Sequence, residues 1–132
     1  MQPGIGAVTT LHHLALGARD TAGLAAFYRD VLGLSELHRH HDGDELRSVW
    51  LDLGGGAVLM IEQIDPVIPN EPVNMAPGLF LLAVRIDERE RETWVARLEA
   101  AGAAIEDSTA HTSYARDPEG NRIAVSFHPL DG

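Results

Sequence analysis

The second half of this 132-residue chain repeats the pattern of the first, displaced by about 68 residues. Copy one runs Leu11-His12-His13-Leu14-Ala15-Leu16, then Asp20, then apolar positions at helical spacing up to Gly33. Copy two runs Phe80-Leu81-Leu82-Ala83-Val84-Arg85-Ile86, then Asp87, then a helix pattern ending at Gly102. A chain built this way folds as two similar modules. On this displacement His13 falls on Leu81, so a polar position in the first copy is apolar in the second.

Each copy reads as β-α-β-β-β. Residues 8–17 form the first predicted strand. Asp20 caps the helix that follows, and Leu24, Phe27, Tyr28, Val31 and Leu32 make one apolar stripe along it. Gly33 stands where a helix ends in a left-handed residue. Strands are expected at 34–40, 45–53 and 57–64, with Asp42-Gly43-Asp44 as a turn and Gly54-Gly55-Gly56 as a hinge. Residues 65–78 hold four prolines and read as the linker. In the second copy, 79–86 is a strand and Asp87 with Glu90 has capping-box-like spacing. Trp94, Leu98 and Ala101 share a helix face. Strands at 104–107, 112–116 and 122–128 complete the module, with Asp117-Pro118-Glu119-Gly120-Asn121 as a tight turn. The expected organisation is one α+β domain over 1–132: module 8–64, linker 65–78 and module 79–129.

The hydrophobic share, 45%, suffices for a buried core. No apolar run approaches the roughly 18 residues of a membrane helix. Met1-Gln2-Pro3-Gly4 does not begin a secretory leader, so a cytoplasmic location is expected. Without cysteine, disulfides and thiolate chemistry are excluded. The net charge is −10, and the ten cations are scattered arginines. A nucleic-acid binder needs a basic face, so nucleic acid is not an expected partner. An acidic surface serves solubility and also attracts cationic ligands.

The stretches His13-Leu14-Ala15-Leu16 before Asp20, Phe27-Tyr28-Arg29-Asp30-Val31-Leu32-Gly33-Leu34, and Asp117-Pro118-Glu119-Gly120-Asn121 before a last strand resemble the vicinal oxygen chelate superfamily. That group contains glyoxalase I, bleomycin-resistance proteins, fosfomycin-resistance enzymes and ring-cleaving dioxygenases. The resemblance implies two βαβββ modules in tandem, with curled mixed sheets around a cleft. It also implies a homodimer, sometimes with modules exchanged between chains. Metal enzymes of the family place one ligand on each of four strands, and these positions carry over to His13, Met60, Leu81 and Ala124. Only the first is a good donor for a divalent ion.

Alternation along the strands puts Ser48, Trp50, Asp52, Val58, Met60, Glu62, His13 and Ala15 on the cleft face. From the second copy come Leu79, Leu81, Ala83, Arg85, Arg122, Ala124, Ser126 and His128. Glu62 lies two residues beyond Met60, roughly 6.6 Å along the strand, and is expected to reach back toward His13. Such a pair is a weak candidate metal site completed by water or substrate, or a general base with its orienter. The plain alternative is a solvated Glu62 and a separately hydrogen-bonded His13.

Other residues have plain readings. His38, His40 and His41 sit on an exposed hairpin. His12 is a structural histidine on the helix side. Tyr114 and His111 lie on opposite faces, so at most one meets the cleft. Arg85 pairs with an anionic ligand or, the favoured reading, with an acidic neighbour. Phe27 and Tyr28 are core, and the 117–121 turn serves folding.

Two functions with ligand chemistry compete, beside a third reading as an interaction or accessory module with none. One is a small-molecule binding protein without the standard metal, resembling bleomycin-resistance proteins. Its ligand-binding set is His13, Trp50, Asp52, Met60, Glu62, Leu81 and Ala124, and its expected ligand is cationic. It needs no cofactor. The other is a glyoxalase-like lyase or related enzyme with a non-standard site at His13 and Glu62.

Overall fold

The computed structural model describes residues 6, 8, 10–66 and 78–130. The elements are β1 (His13–Ala18), α1 (Thr21–Ala26), β2 (Glu36–Asp42), β3 (Glu45–Gly54) and β4 (Ala57–Gln63). After them come β5 (Leu82–Arg85), α2 (Arg91–Ala100), β6 (Asp107–Ser108), β7 (Thr112–Arg116) and β8 (Arg122–Ser126). The strands make two four-stranded mixed sheets ordered β1-β4-β3-β2 and β5-β8-β7-β6. In each, the first strand pairs in parallel with the last, and the other pairs are antiparallel. This is the expected pair of βαβββ modules. Most of the expected linker, residues 67–77, lies outside the described residues.

The first strand, expected over 8–17, begins only at His13, and other boundaries moved where hydrophobicity continued without a pairing partner. The strand expected from Leu79 begins at Leu82, and Leu79, Phe80 and Leu81 stand exposed. The strand expected at 104–107 is the two-residue β6, and the last strand stops at Ser126 rather than His128. Ala101 lies past the end of α2 and is exposed, while Leu98 is buried and Trp94 half-buried. The expected capping box forms only in part. The Asp87 carboxylate accepts the Arg89 N–H at 2.9 Å and caps a 3-10 turn, Glu88–Glu90, that leads into α2.

The first helix starts as expected: the Asp20 carboxylate accepts the Gly23 N–H at 3.0 Å. It does not stay α-helical. Over Phe27–Val31 it widens to a π turn, where the Leu32 N–H reaches back five residues to the Phe27 carbonyl at 3.3 Å. The closing bond is lengthened in step, from the Leu34 N–H to the Tyr28 carbonyl at 3.0 Å. An ordinary Schellman closure spans one residue fewer. Gly33 follows with φ +80°, the left-handed conformation its place demands.

The core unites both modules. Val49 and Leu51 of β3, Leu59 and Ile61 of β4, and Leu24 and Tyr28 join Leu98, Ala115, Ile123 and Val125 in one buried cluster. Burying an aliphatic side chain of this size contributes about 2 kcal/mol, and here the gain comes from the helix-side face of each sheet. Polar contacts lock the same seam. The Tyr28 hydroxyl donates to Asp117 Oδ2 at 2.7 Å, and Arg97 donates to the Asp30 carbonyl at 2.9 Å. Asp20 N–H donates to Glu119 Oε2 at 3.1 Å.

Candidate functional site

The opposite, concave face of each sheet carries the candidate site. On the first sheet, Ser48, Trp50 and Asp52 of β3 alternate with the core residues Val49 and Leu51, as expected. Register places them beside Glu62, Met60 and Val58 of β4. On β1, His13, Ala15 and Gly17 lie beside Val58, Met60 and Glu62.

That register separates His13 from Glu62. They are four residues apart along paired strands, roughly 13 Å, twice the separation expected from the Met60 position. Each has another partner. His13 Nδ1 lies 2.9 Å from His12 Nδ1, and Glu62 Oε1 accepts the Ser48 hydroxyl at 3.0 Å. The expected His13–Glu62 pair does not form within the chain, because parallel pairing of β1 with β4 aligns Glu62 with Gly17. Asp52 also fails to join Glu62. Its carboxylate accepts the Gly54 N–H at 2.7 Å and serves the β3–β4 turn. His12 is exposed rather than packed on the helix side.

What assembles instead is a polar chain against an aromatic wall. Trp50 Nε1–H donates to Ser48 Oγ at 2.8 Å, and Ser48 donates onward to Glu62. The His38 ring meets the Trp50 ring edge-on, with centroids 5.2 Å apart. His40 lies 6.3 Å from His38, nearly parallel to it. His38, His40, Ser48, Trp50 and Glu62 line a hollow of about 310 Å³.

Sequence reading missed His38 and His40 as cleft residues. Pairing runs Asp42↔Glu45 and His41↔Leu46, then shifts by one to His40↔Ser48 and His38↔Trp50. A regular hairpin from the same turn would put His40 opposite Arg47 and His38 opposite Val49, on the other face. The one-residue bulge turns both imidazoles into the cleft. No residue of the strand announces that bulge.

On the second sheet, Ala83, Arg85, Ala124, Ser126, Thr112 and Tyr114 lie on the concave side. Tyr114 is thus the cleft residue of its pair, and His111 packs against Phe127 with centroids 5.4 Å apart. The Arg122 guanidinium sits 4.3 Å from the Phe80 ring centroid and 5.5 Å from that of Tyr114. Arg85 does not have the acidic neighbour expected for it among the described residues.

The two concave faces do not close on one another within the chain. Among the described residues, the hollow on the first is lined by first-module residues, and the hollow holding Arg85, Ser126 and His128 by second-module residues. The modules are joined through their helix sides. Between them runs an apolar groove of about 440 Å³, including Leu32, Leu53, Leu82 and Trp94. Arg85 is the one charged residue in its lining among the described residues, so it lacks the convergent polar groups that orient a ligand.

A metal centre of the family's kind does not fit the donors present. His13 is exposed, and the matching positions are occupied by Met60, Leu81 and Ala124, whose thioether, isobutyl and methyl groups are poor or impossible ligands for a hard divalent ion. Among the described residues, no group of three or more His, Asp or Glu side chains is placed to hold an ion. Likewise, no described helix is long and apolar enough to cross a membrane.

The chain belongs to the Glyoxalase/Bleomycin resistance protein/Dioxygenase superfamily, whose profile matches residues 10–125. Among solved structures, it is similar to a lactoylglutathione lyase from Agrobacterium tumefaciens, with 25% identity, a TM-score of 0.67, and coverage of 90% of this chain and 93% of that one. The fosfomycin resistance protein FosX from Listeria monocytogenes, complexed with Mn(II) and 1S,2S-dihydroxypropylphosphonic acid, shares the fold at TM-score 0.75. Identity there is 17%, over 95% of this chain and 97% of that one. An antibiotic binding protein, TnmS3, from a Streptomyces species has 20% identity and a TM-score of 0.66, over 92% and 98% of the two chains. No curated protein matches the sequence.

Proposed function

We propose that this protein binds a small molecule without the superfamily's metal, in the manner of bleomycin-resistance proteins. The observation that carries this reading is the replacement of three donor positions by Met60, Leu81 and Ala124. A lining of that kind suits an apolar ligand body, and a few polar anchors then fix its orientation. The anchors are Trp50 and Glu62. An indole face attracts a cation, the carboxylate pairs with it, and the net charge of −10 steers it inward. The ligand class is therefore a cationic small molecule with a planar apolar part. One structural neighbour, TnmS3, is an antibiotic binding protein.

The reading includes a homodimer. Leu79, Phe80 and Leu81 are 79%, 42% and 38% exposed, at a groove they share with Leu14 and Leu16 of the first module. A second copy that covers this strip would bring one chain's first sheet opposite the other's second sheet. Leu81 and Ala124 would then line the same cleft as Trp50 and Met60.

Isothermal titration against a panel of planar cationic compounds tests the reading. Binding is expected, weakened about tenfold (~1.4 kcal/mol) by Glu62→Gln and by a similar factor in Trp50→Ala. No heat across a broad panel would overturn it. The competing lyase would use His13 and Glu62, and their separation along the strands counts against it. Elemental analysis after reconstitution separates the two: a stoichiometric ion lost in His13→Ala would favour the enzyme.

A further inference from the structure

We propose that the concave face of the second sheet holds an oxyanion subsite, formed by Arg85 with Ser126 and His128, that takes the carboxylate or phosphate group of a small molecule. The starting point is an unspent charge. Among the described residues, the other nine arginines each meet a carboxylate, a carbonyl or an aromatic ring. Arg85 meets none, although the chain carries twice as many acidic residues as basic ones, 20 against 10.

Its surroundings are built for a small anion. Strand pairing sets Arg85 beside Ser126. The Ser126 hydroxyl is held by Thr112 Oγ1 at 2.7 Å and accepts the His128 N–H at 3.2 Å. His128 Nδ1 bonds the Pro129 carbonyl at 2.8 Å. A carbonyl only accepts, so Nδ1 donates to it, and the His128 ring, set edge-on to His111, lines the hollow while Arg85 and the Ser126 hydroxyl supply its donors. Ala83, Val84 and Leu130 wall a hollow of about 180 Å³ around these groups. It has room for a phosphate or carboxylate, and because Ala83, Arg85, His128 and Leu130 are exposed, an anion can reach it directly from water. A guanidinium offers two parallel N–H groups to either oxyanion. The long-range field of a chain with net charge −10 repels anions, so affinity here must come from local geometry.

Within one chain this subsite lies on the other sheet from Trp50 and Glu62; in the proposed dimer it would face them across one cleft, so it rests on that reading for its setting, while anion titration reads it separately from cation binding. The test is a titration of the full chain with inorganic phosphate and, separately, acetate, followed by amide NMR. Shifts are expected at Arg85, Ser126 and His128, and the tighter of the two anions identifies the class. Arg85→Ala should weaken binding at least about tenfold, and Arg85→Lys by less, because the charge stays but the fork is lost. Arg89→Ala removes an exposed arginine already paired with Asp87 and should change nothing. Thermal melts of each variant check that it folds. Equal affinity in Arg85→Ala, or shifts confined elsewhere, would overturn the proposal. So would an Arg85→Ala variant that changes oligomeric state while phosphate shifts nothing, since Arg85 would then serve a contact between copies.

Discussion

Asp117 holds more of this molecule together than its place in a surface turn suggests. Its carboxylate accepts the Tyr28 hydroxyl, the Glu119 and Asn121 backbone N–H groups, and the Asn121 side-chain amide, all between 2.7 and 3.0 Å. It is 4% exposed, and Tyr28 is fully buried. The hydroxyl spans 89 positions to link the modules. Tyr28→Phe removes a bond to a charged group and should cost about 2 kcal/mol, read as a lower urea midpoint with an unchanged slope. Burial, with Asp117 beside it, pushes the Tyr28 ionisation far above the usual tyrosine range. The unfolded chain then releases this proton above about pH 10 while the folded chain retains it. Stability should therefore fall as pH rises past that point. Tyr28→Phe should flatten this alkaline slope, and an unchanged slope would count against the assignment.

At the scale of elements, the first helix shows what hydrophobic periodicity can and cannot resolve. Its cap at Asp20, its stripe and its end at Gly33 were all legible, because each depends on local chemistry. The π turn over Phe27–Val31 was not, because an extra residue per turn leaves the same residues apolar. Gly33 supplies a clean test. A methyl group added there meets nothing within 4 Å, yet φ is +80°. Gly33→Ala should cost about 1 kcal/mol through backbone conformation alone, measured as a lower melting temperature with unchanged ligand affinity. The same limit applied to β2. His38 and His40 were read as an exposed hairpin and are indeed exposed, but the bulge before His41 decides which face they occupy.

For the whole molecule, the open concave faces, the unpaired edges of β1 and β5 and the exposed 79–81 strip belong together. Exposed apolar strips of this kind mark interfaces. Sedimentation should give twice the 14.3 kDa chain mass, and Leu81→Arg should shift the equilibrium toward monomer. A wild-type chain that stays monomeric at high concentration would remove the two-chain cleft.

By itself, the sequence determined the two βαβββ modules, the caps and turns between their elements, and which strand face meets the core. All of these follow from local conformation, from the two-residue and 3.6-residue periods, or from side-chain chemistry. Only the tertiary structure decided which cleft residues meet. Parallel pairing set Glu62 beside Gly17 and away from His13, and one bulge carried His38 and His40 to Trp50. Register is a property of two strands at once, and a single residue of slip exchanges the faces, so neither strand alone contains it.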